Sequence, residues 1–313
     1  MKRKIGYVCL CIALVAFGAA IIIHPERYVN CCFQGFAMWA ECVLPSLFPF
    51  MVITLIAVKS GIAERAALPL RKVTKLVKMP PAAASCFILS ICSGYPAGSK
   101  IVSEFYESGV IRKKDCAKAA YLCSTSGPLF IIGSVGFKMF ADTTAGLKIL
   151  LAHIFSVTVI SLIISLFSKG AQTDNTKRVP ANGNVLYNTF YGAVTAVAVA
   201  GGFIAFFYVV ATFCADFSLL YPVEKFLGLM LDGQTSSAVC LGIIEATTGC
   251  RALSLTGGKL AVALAGFLIT FGGFSILLQQ LCYLTKAGIK PLKFIAVKFV
   301  QALLCFGILL LIA

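Results

Sequence analysis

Ala82-Ala83-Ala84-Ser85-Cys86-Phe87-Ile88-Leu89-Ser90-Ile91-Cys92-Ser93 is apolar enough for a membrane interior, yet it stops after about 12 residues where a crossing helix needs about 20. It is stopped by Gly94-Tyr95-Pro96-Ala97-Gly98-Ser99-Lys100, and a polar helical stretch carrying Glu104 and Glu107 follows. A short apolar arm, a Gly/Pro tip and a return arm read as a re-entrant hairpin. Such backbone is tolerated at membrane depth only where protein or a wet cavity covers it. The rest of the chain supplies that setting. Its 313 residues are 59% hydrophobic and 12% charged, with a mean hydropathy of +0.94, whereas a soluble globular chain carries about 25% charged residues. These values exclude a soluble enzyme, a disordered regulator and a secreted disulfide scaffold. They leave a polytopic membrane protein with up to about ten crossings or partial crossings.

Fourteen cysteines do not change that reading. Cys9, Cys11, Cys86, Cys92, Cys214, Cys240 and Cys305 sit inside apolar runs, and the histidines, His24 and His153, are not spaced with them as zinc ligands. Buried free thiols act as small hydrophobes, so no cofactor or metal is expected, and a coupling ion has no visible ligand set.

Outward from the hairpin, the plan unfolds in two halves. Ile5 to Ile23, behind Lys2, Arg3 and Lys4, is a retained transmembrane anchor within residues 1–24. Arg27 to Glu41, with the single Trp39, reads as an interfacial amphipathic helix, and Pro45 and Pro49 break the apolar run that ends near Val58. Residues 59–79 form a basic loop. After the hairpin, Ala119 to Phe140 is a transmembrane helix broken at Cys123-Ser124-Thr125-Ser126-Gly127-Pro128, and Leu147 to Phe167 crosses without interruption. Lys169 to Asn184 is a polar linker that separates residues 25–168 from residues 185–313.

The second half repeats the order. Val185 to Ala198 is an arm, Val199 to Cys214 a span, and an acidic loop holds Asp216, Glu224 and Asp232. Ser236 to Ile244 is a second short arm with its tip at Glu245-Ala246-Thr247-Thr248-Gly249-Cys250-Arg251. Leu260 to Leu284 is broken at Phe271-Gly272-Gly273-Phe274-Ser275, and Phe294 to Ile312 closes the chain.

Charge places the N-terminus in the cytoplasm. The loops then predicted to face inside hold Lys2, Arg3, Lys4, Lys59, Arg65, Arg71, Lys72, Lys75, Lys78, Arg112, Lys113, Lys114, Lys118, Lys169, Lys177, Arg178, Lys286, Lys290, Lys293 and Lys298, which is 20 of the 27 Lys and Arg residues. The net charge of +15 is thereby explained by membrane orientation, and no nucleic-acid partner is expected. This topology turns the two halves in opposite senses. The expected fold class is therefore an all-α polytopic membrane protein, an inverted repeat with two re-entrant hairpins and two broken transmembrane helices, the architecture of secondary transporters with a site at the repeat interface.

Polar residues surviving at membrane depth concentrate in the four interruptions. The candidate substrate-binding residues are Ser93, Gly94, Tyr95, Pro96 and Lys100 at the first tip, with Ser124, Thr125 and Ser126 at the first break. Glu245, Thr247, Thr248 and Arg251 follow at the second tip, and Ser275 and Gln279 at the second break. Gly and Pro there free backbone N–H groups, and half-helix N-termini point partial positive charge inward. Lys100 either reaches the site or snorkels to the inner surface; Arg251 either snorkels outward or pairs with Glu245. Two cations against one carboxylate favour an anionic solute.

These four motifs, in this order and over nearly the whole chain, resemble the YlbJ-type sporulation integral membrane proteins, which carry the nucleoside-recognition ("Gate") domain. The resemblance implies a multi-pass protein of the outer forespore membrane, or of the cell membrane of a spore former, that moves dipicolinate during endospore formation. On the charge reading above, Lys100 and Arg251 are the groups expected to neutralise its carboxylates. The resemblance also offers a nucleoside or nucleobase carrier of the concentrative nucleoside transporter type. A non-transporting sporulation scaffold is the rival from another class. The partners expected are the lipid bilayer, a small anionic substrate, and a second copy or a sporulation membrane protein. With no His-Glu-x-x-His or Gly-x-Ser-x-Gly in the chain, an enzyme is not expected.

Overall fold

The computed structural model describes residues 2–62, 65, 68–168 and 184–313. Among the described residues all regular structure is helical. Six helices are long and apolar enough to cross a membrane: Gly6–Ile23, Pro25–Lys59, Thr143–Leu166, Leu186–Asp216, Gly258–Leu284 and Pro291–Ile312. The first, within α1 (Lys2–Ile23), is exposed along most of its described length, as a lipid-facing helix would be.

The next two long helices are more continuous than the prolines and the amphipathic pattern suggest. α2 (Pro25–Met38) runs through a π turn at Trp39–Val43 into α3 (Leu44–Lys59) without a break. Pro45 removes the N–H that would bond the Glu41 carbonyl, and Lys138 Nζ approaches that oxygen at 3.4 Å instead. The Cys42 carbonyl is taken by the hydroxyls of Ser134 at 2.6 Å and Ser46 at 3.1 Å. A donor from outside the helix thus stands in for the N–H that Pro45 lacks. Likewise α9, Val185–Asp216, is one 32-residue helix where an arm and a separate span were expected, because nothing between Ala198 and Val199 breaks helix geometry.

The interruptions fall where the Gly/Pro clusters put them. α5 (Ala82–Ser93) and α6 (Ala97–Glu107) are the two arms of the first hairpin. α7 (Lys113–Leu122) ends before non-helical residues 124–127 and resumes as a π-helical arm, Leu129–Met139, ahead of α8 (Thr143–Leu166). In the second half, the loop expected after Asp216 contains α10 (Tyr221–Leu227). α11 (Gly233–Ile244) and α12 (Ala246–Thr256) meet at Glu245, so Ala246 to Arg251 are the start of the return helix rather than a loose tip. α13 (Gly258–Phe271) and α14 (Gly273–Leu284) are separated by Gly272, whose φ of +93° a side chain would resist. α15 (Pro291–Ile312) ends the fold. The linker at 169–184, including Lys169, Lys177 and Arg178, lies outside the described residues except for Asn184, which caps α9 by accepting the Tyr187 N–H. A short helix, α4 (Arg71–Leu76), precedes the first hairpin as α10 precedes the second, so the element order of residues 25–166 recurs in residues 185–312.

Two apolar cores hold the hairpins, and each draws on both halves. Ile101 and Phe105 of the first hairpin pack in a cluster with Leu277, Leu281 and Phe294. Leu253 of the second packs with Ile131, Ile149, Leu268 and Leu309. The two interrupted regions are therefore held side by side at the centre.

Candidate functional site

At the first tip Ser93 donates its hydroxyl to the Leu89 carbonyl at 2.6 Å and so closes the end of α5. Gly94 turns the chain at φ +70°, and a Cβ there would stand 2.5 Å from the Gly127 nitrogen, so tip and first break are in direct backbone contact. Pro96 precedes the first turn of α6 and accepts the Lys100 N–H at 3.1 Å. Tyr95 points inward from this turn, and its hydroxyl lies 3.2 Å from the Ser124 carbonyl and 3.4 Å from those of Ile269 and Thr270.

The first break exposes backbone groups that a helix would have paired, and side chains from distant elements take them. The Ser126 N–H donates to His153 Nε2 at 2.9 Å, while His153 Nδ1 faces the Thr270 hydroxyl at 2.9 Å. A nitrogen that accepts from an amide carries no proton, so the Nδ1–H donates to Thr270 and the ring is neutral. The Ser124 carbonyl accepts from Lys298 Nζ at 2.9 Å, and the Ser124 hydroxyl donates to Gln280 Oε1 at 2.5 Å, an oxygen that also receives Ser99 at 3.1 Å. Thr125 donates to the Ser90 hydroxyl at 3.0 Å. Several polar groups of this irregular, buried segment thus find partners within the protein.

At the second tip, Glu245 is fully buried and caps α12 through Oε2, which accepts the Thr248 N–H at 2.6 Å and its hydroxyl at 2.8 Å. Its Oε1 has no hydrogen-bond partner, so a pair with Arg251 is not made; Arg251 is exposed on α12. At the second break Ser275 is buried and accepts from Gln279 Nε2 at 3.3 Å.

One cleft of about 50 Å³ collects residues from all four interruptions: Ser93, Gly94 and Tyr95; Ser126 and Gly127; Thr247; Ile276 and Gln279. Its remaining walls are α3 (Ser46 and Leu47, with Val43 and Phe130 nearby) and α9 (Ala200 and Ile204). Thr125, Ser124, Glu245, Thr248, Ser275 and Pro96 are not among the lining residues. Lys100 does not reach it: its ammonium donates to the Gly192 carbonyl of α9 at 3.0 Å. No charged side chain lines the cleft, which has room for a few waters.

The residue the sequence reading misplaced is Lys298. Counted with the inner basic loop because Lys286, Lys290 and Lys293 precede it, it lies two turns inside α15, about 10 Å along the axis from Pro291. It is fully buried, and its ammonium donates to the Tyr95 hydroxyl and the Ser124 carbonyl, both at 2.9 Å. The signal was present in Gln301, three residues on, since Lys and Gln at i,i+3 share one face of an otherwise apolar span.

The chain is similar to the sporulation integral membrane protein YlbJ of Bacillus subtilis (strain 168), with 22% identity over 313 aligned residues that cover 90% of this chain and 77% of the relative. No family model matches the chain, and no solved structure matches it. The similarity supports the YlbJ-type family, and together with the six apolar helices it makes this an integral, multi-pass membrane protein.

Proposed function

Starting from a YlbJ-type sporulation membrane protein, we propose that the chain is a carrier of a small organic anion, dipicolinate, across the outer forespore membrane. The observation that carries this reading is the meeting of all four interruptions on a single cleft between the long helices α3 and α9. Two hairpins and two broken helices are costly backbone in a membrane, and a scaffold has no use for their convergence. The halves act as an inverted repeat with the N-terminus inside, and the hairpin tips alternate in opening the cleft to either side. Ser93, Tyr95, Ser126, Thr247 and Gln279 contact the solute; Ser124, Thr125, Thr248 and Ser275 hold the frame. Transport needs no covalent step.

The uncharged lining favours a second reading, a nucleoside carrier that uses the hydroxyls and the Gln279 amide. Uptake of labelled dipicolinate and of labelled uridine into proteoliposomes separates the two. Saturable dipicolinate uptake without uridine uptake is the expected result, and the reverse establishes the nucleoside reading.

A further inference from the structure

Lys298 presents an energetic problem that the fold alone does not resolve. Its side chain is fully buried, and among the described residues no carboxylate pairs with it. Its three N–H donors meet two neutral oxygens, the Tyr95 hydroxyl and the Ser124 carbonyl, and the ammonium sits 5.1 Å from the Tyr95 ring centroid. Carried as an ammonium, a buried group without a counter-charge costs several kcal/mol, and a methionine or leucine would fill the same volume with no polar group to satisfy. The position of the group suggests what it is for. Tyr95 lines the cleft and is also the residue that covers Lys298, so the charge lies one side chain behind the solute. Gly94, with its positive φ, and the adjoining turn leave Tyr95 on a tip instead of inside a helix.

We infer that the Lys298 ammonium is the counter-charge for a carboxylate of the solute, reached when Tyr95 moves off it as the cleft opens. This rests on the carrier reading above and names the feature of the substrate that the site selects, a carboxylate beside a ring or other flat body that can take the place of the tyrosine. A cleft lined with neutral groups then discriminates by charge through a group that does not face it until it opens. Lys100 and Arg251 take no part: one is engaged with Gly192 and the other is exposed.

The test is thermal unfolding of the detergent-purified full chain with dipicolinate, and separately with its uncharged diamide, which has the same shape. Wild type is expected to be stabilised by dipicolinate and not by the diamide. Lys298→Met is expected to fold and to need at least about tenfold more dipicolinate for the same shift, the loss of one ion-pair anchor; Lys298→Arg should retain part of the response. If Lys298→Met does not fold, the diamide comparison in wild type decides alone. Equal stabilisation by diamide and dipicolinate, an undiminished response in Lys298→Met, or no dipicolinate shift in wild type overturns the inference. A Lys298-dependent shift without uptake into proteoliposomes upholds the inference and instead removes the carrier reading.

Discussion

His153 on α8 accepts the Ser126 N–H at 2.9 Å, and this bond joins the uninterrupted span of the first half to the break in the helix before it. With Thr270 on its other nitrogen, the ring bridges the two broken helices, one from each half. Replacing it by Phe keeps the volume and leaves the buried Ser126 amide without its partner, worth about 1–3 kcal/mol. His153→Phe is therefore expected to lower the thermal unfolding temperature clearly, and His153→Gln, which can both accept and donate, to recover part of the loss.

The return arm of the first hairpin lies against the first break with no room to spare. A Cβ at Gly98 would stand 1.9 Å from the Cys123 carbonyl oxygen, and backbone cannot be pushed aside as a side-chain end can. Gly98→Ala should abolish accumulation of folded protein. Gly202→Ala, where nothing lies within 4 Å, should be neutral in the same membrane-extraction assay.

Helix caps offer a milder measurement. Asp142 accepts the N–H groups of Thr144 at 2.8 Å and Ala145 at 3.0 Å and so starts α8. Asp142→Ala should cost about 1 kcal/mol, read as a modest fall in unfolding temperature, and Asp142→Asn should restore most of it.

Asp232, exposed at the start of α11, gives a pH dependence. The Thr235 hydroxyl and N–H hold its carboxyl below the usual carboxylate range. Because the folded value is lowered, the stabilisation is complete above the ordinary value of about 4 and fades as pH falls through the lowered one. Unfolding temperature measured from pH 6 to pH 3 should fall less steeply in Asp232→Asn than in wild type.

Much of this arrangement is written in local sequence, and the exceptions have physical causes. Gly94, Gly127 and Gly272 mark interruptions because glycine conformations and missing side chains act where they stand. The continuity of Pro25–Lys59 was not legible, since the Glu41 carbonyl that Pro45 leaves without its N–H is met by Lys138, about ninety residues away, and Ser134 adds a bond to the neighbouring Cys42 carbonyl. Lys298 was hidden by the regular basic spacing before it; only the position of Pro291, which starts the helix early, puts the ammonium at depth. Sequence left Arg251 free either to snorkel outward or to pair with Glu245; it is exposed on α12, and Glu245, which begins that helix, leaves Oε1 without a hydrogen-bond partner.

The most direct test of the carrier account fills the cleft. Ala200 faces it from α9, and Ala200→Phe places a ring where the four interruptions meet. Labelled dipicolinate uptake into proteoliposomes should be saturable with wild type and absent with Ala200→Phe, provided the variant is recovered folded from the membrane. Uptake by Ala200→Phe equal to wild type, or none by folded wild type, would contradict it.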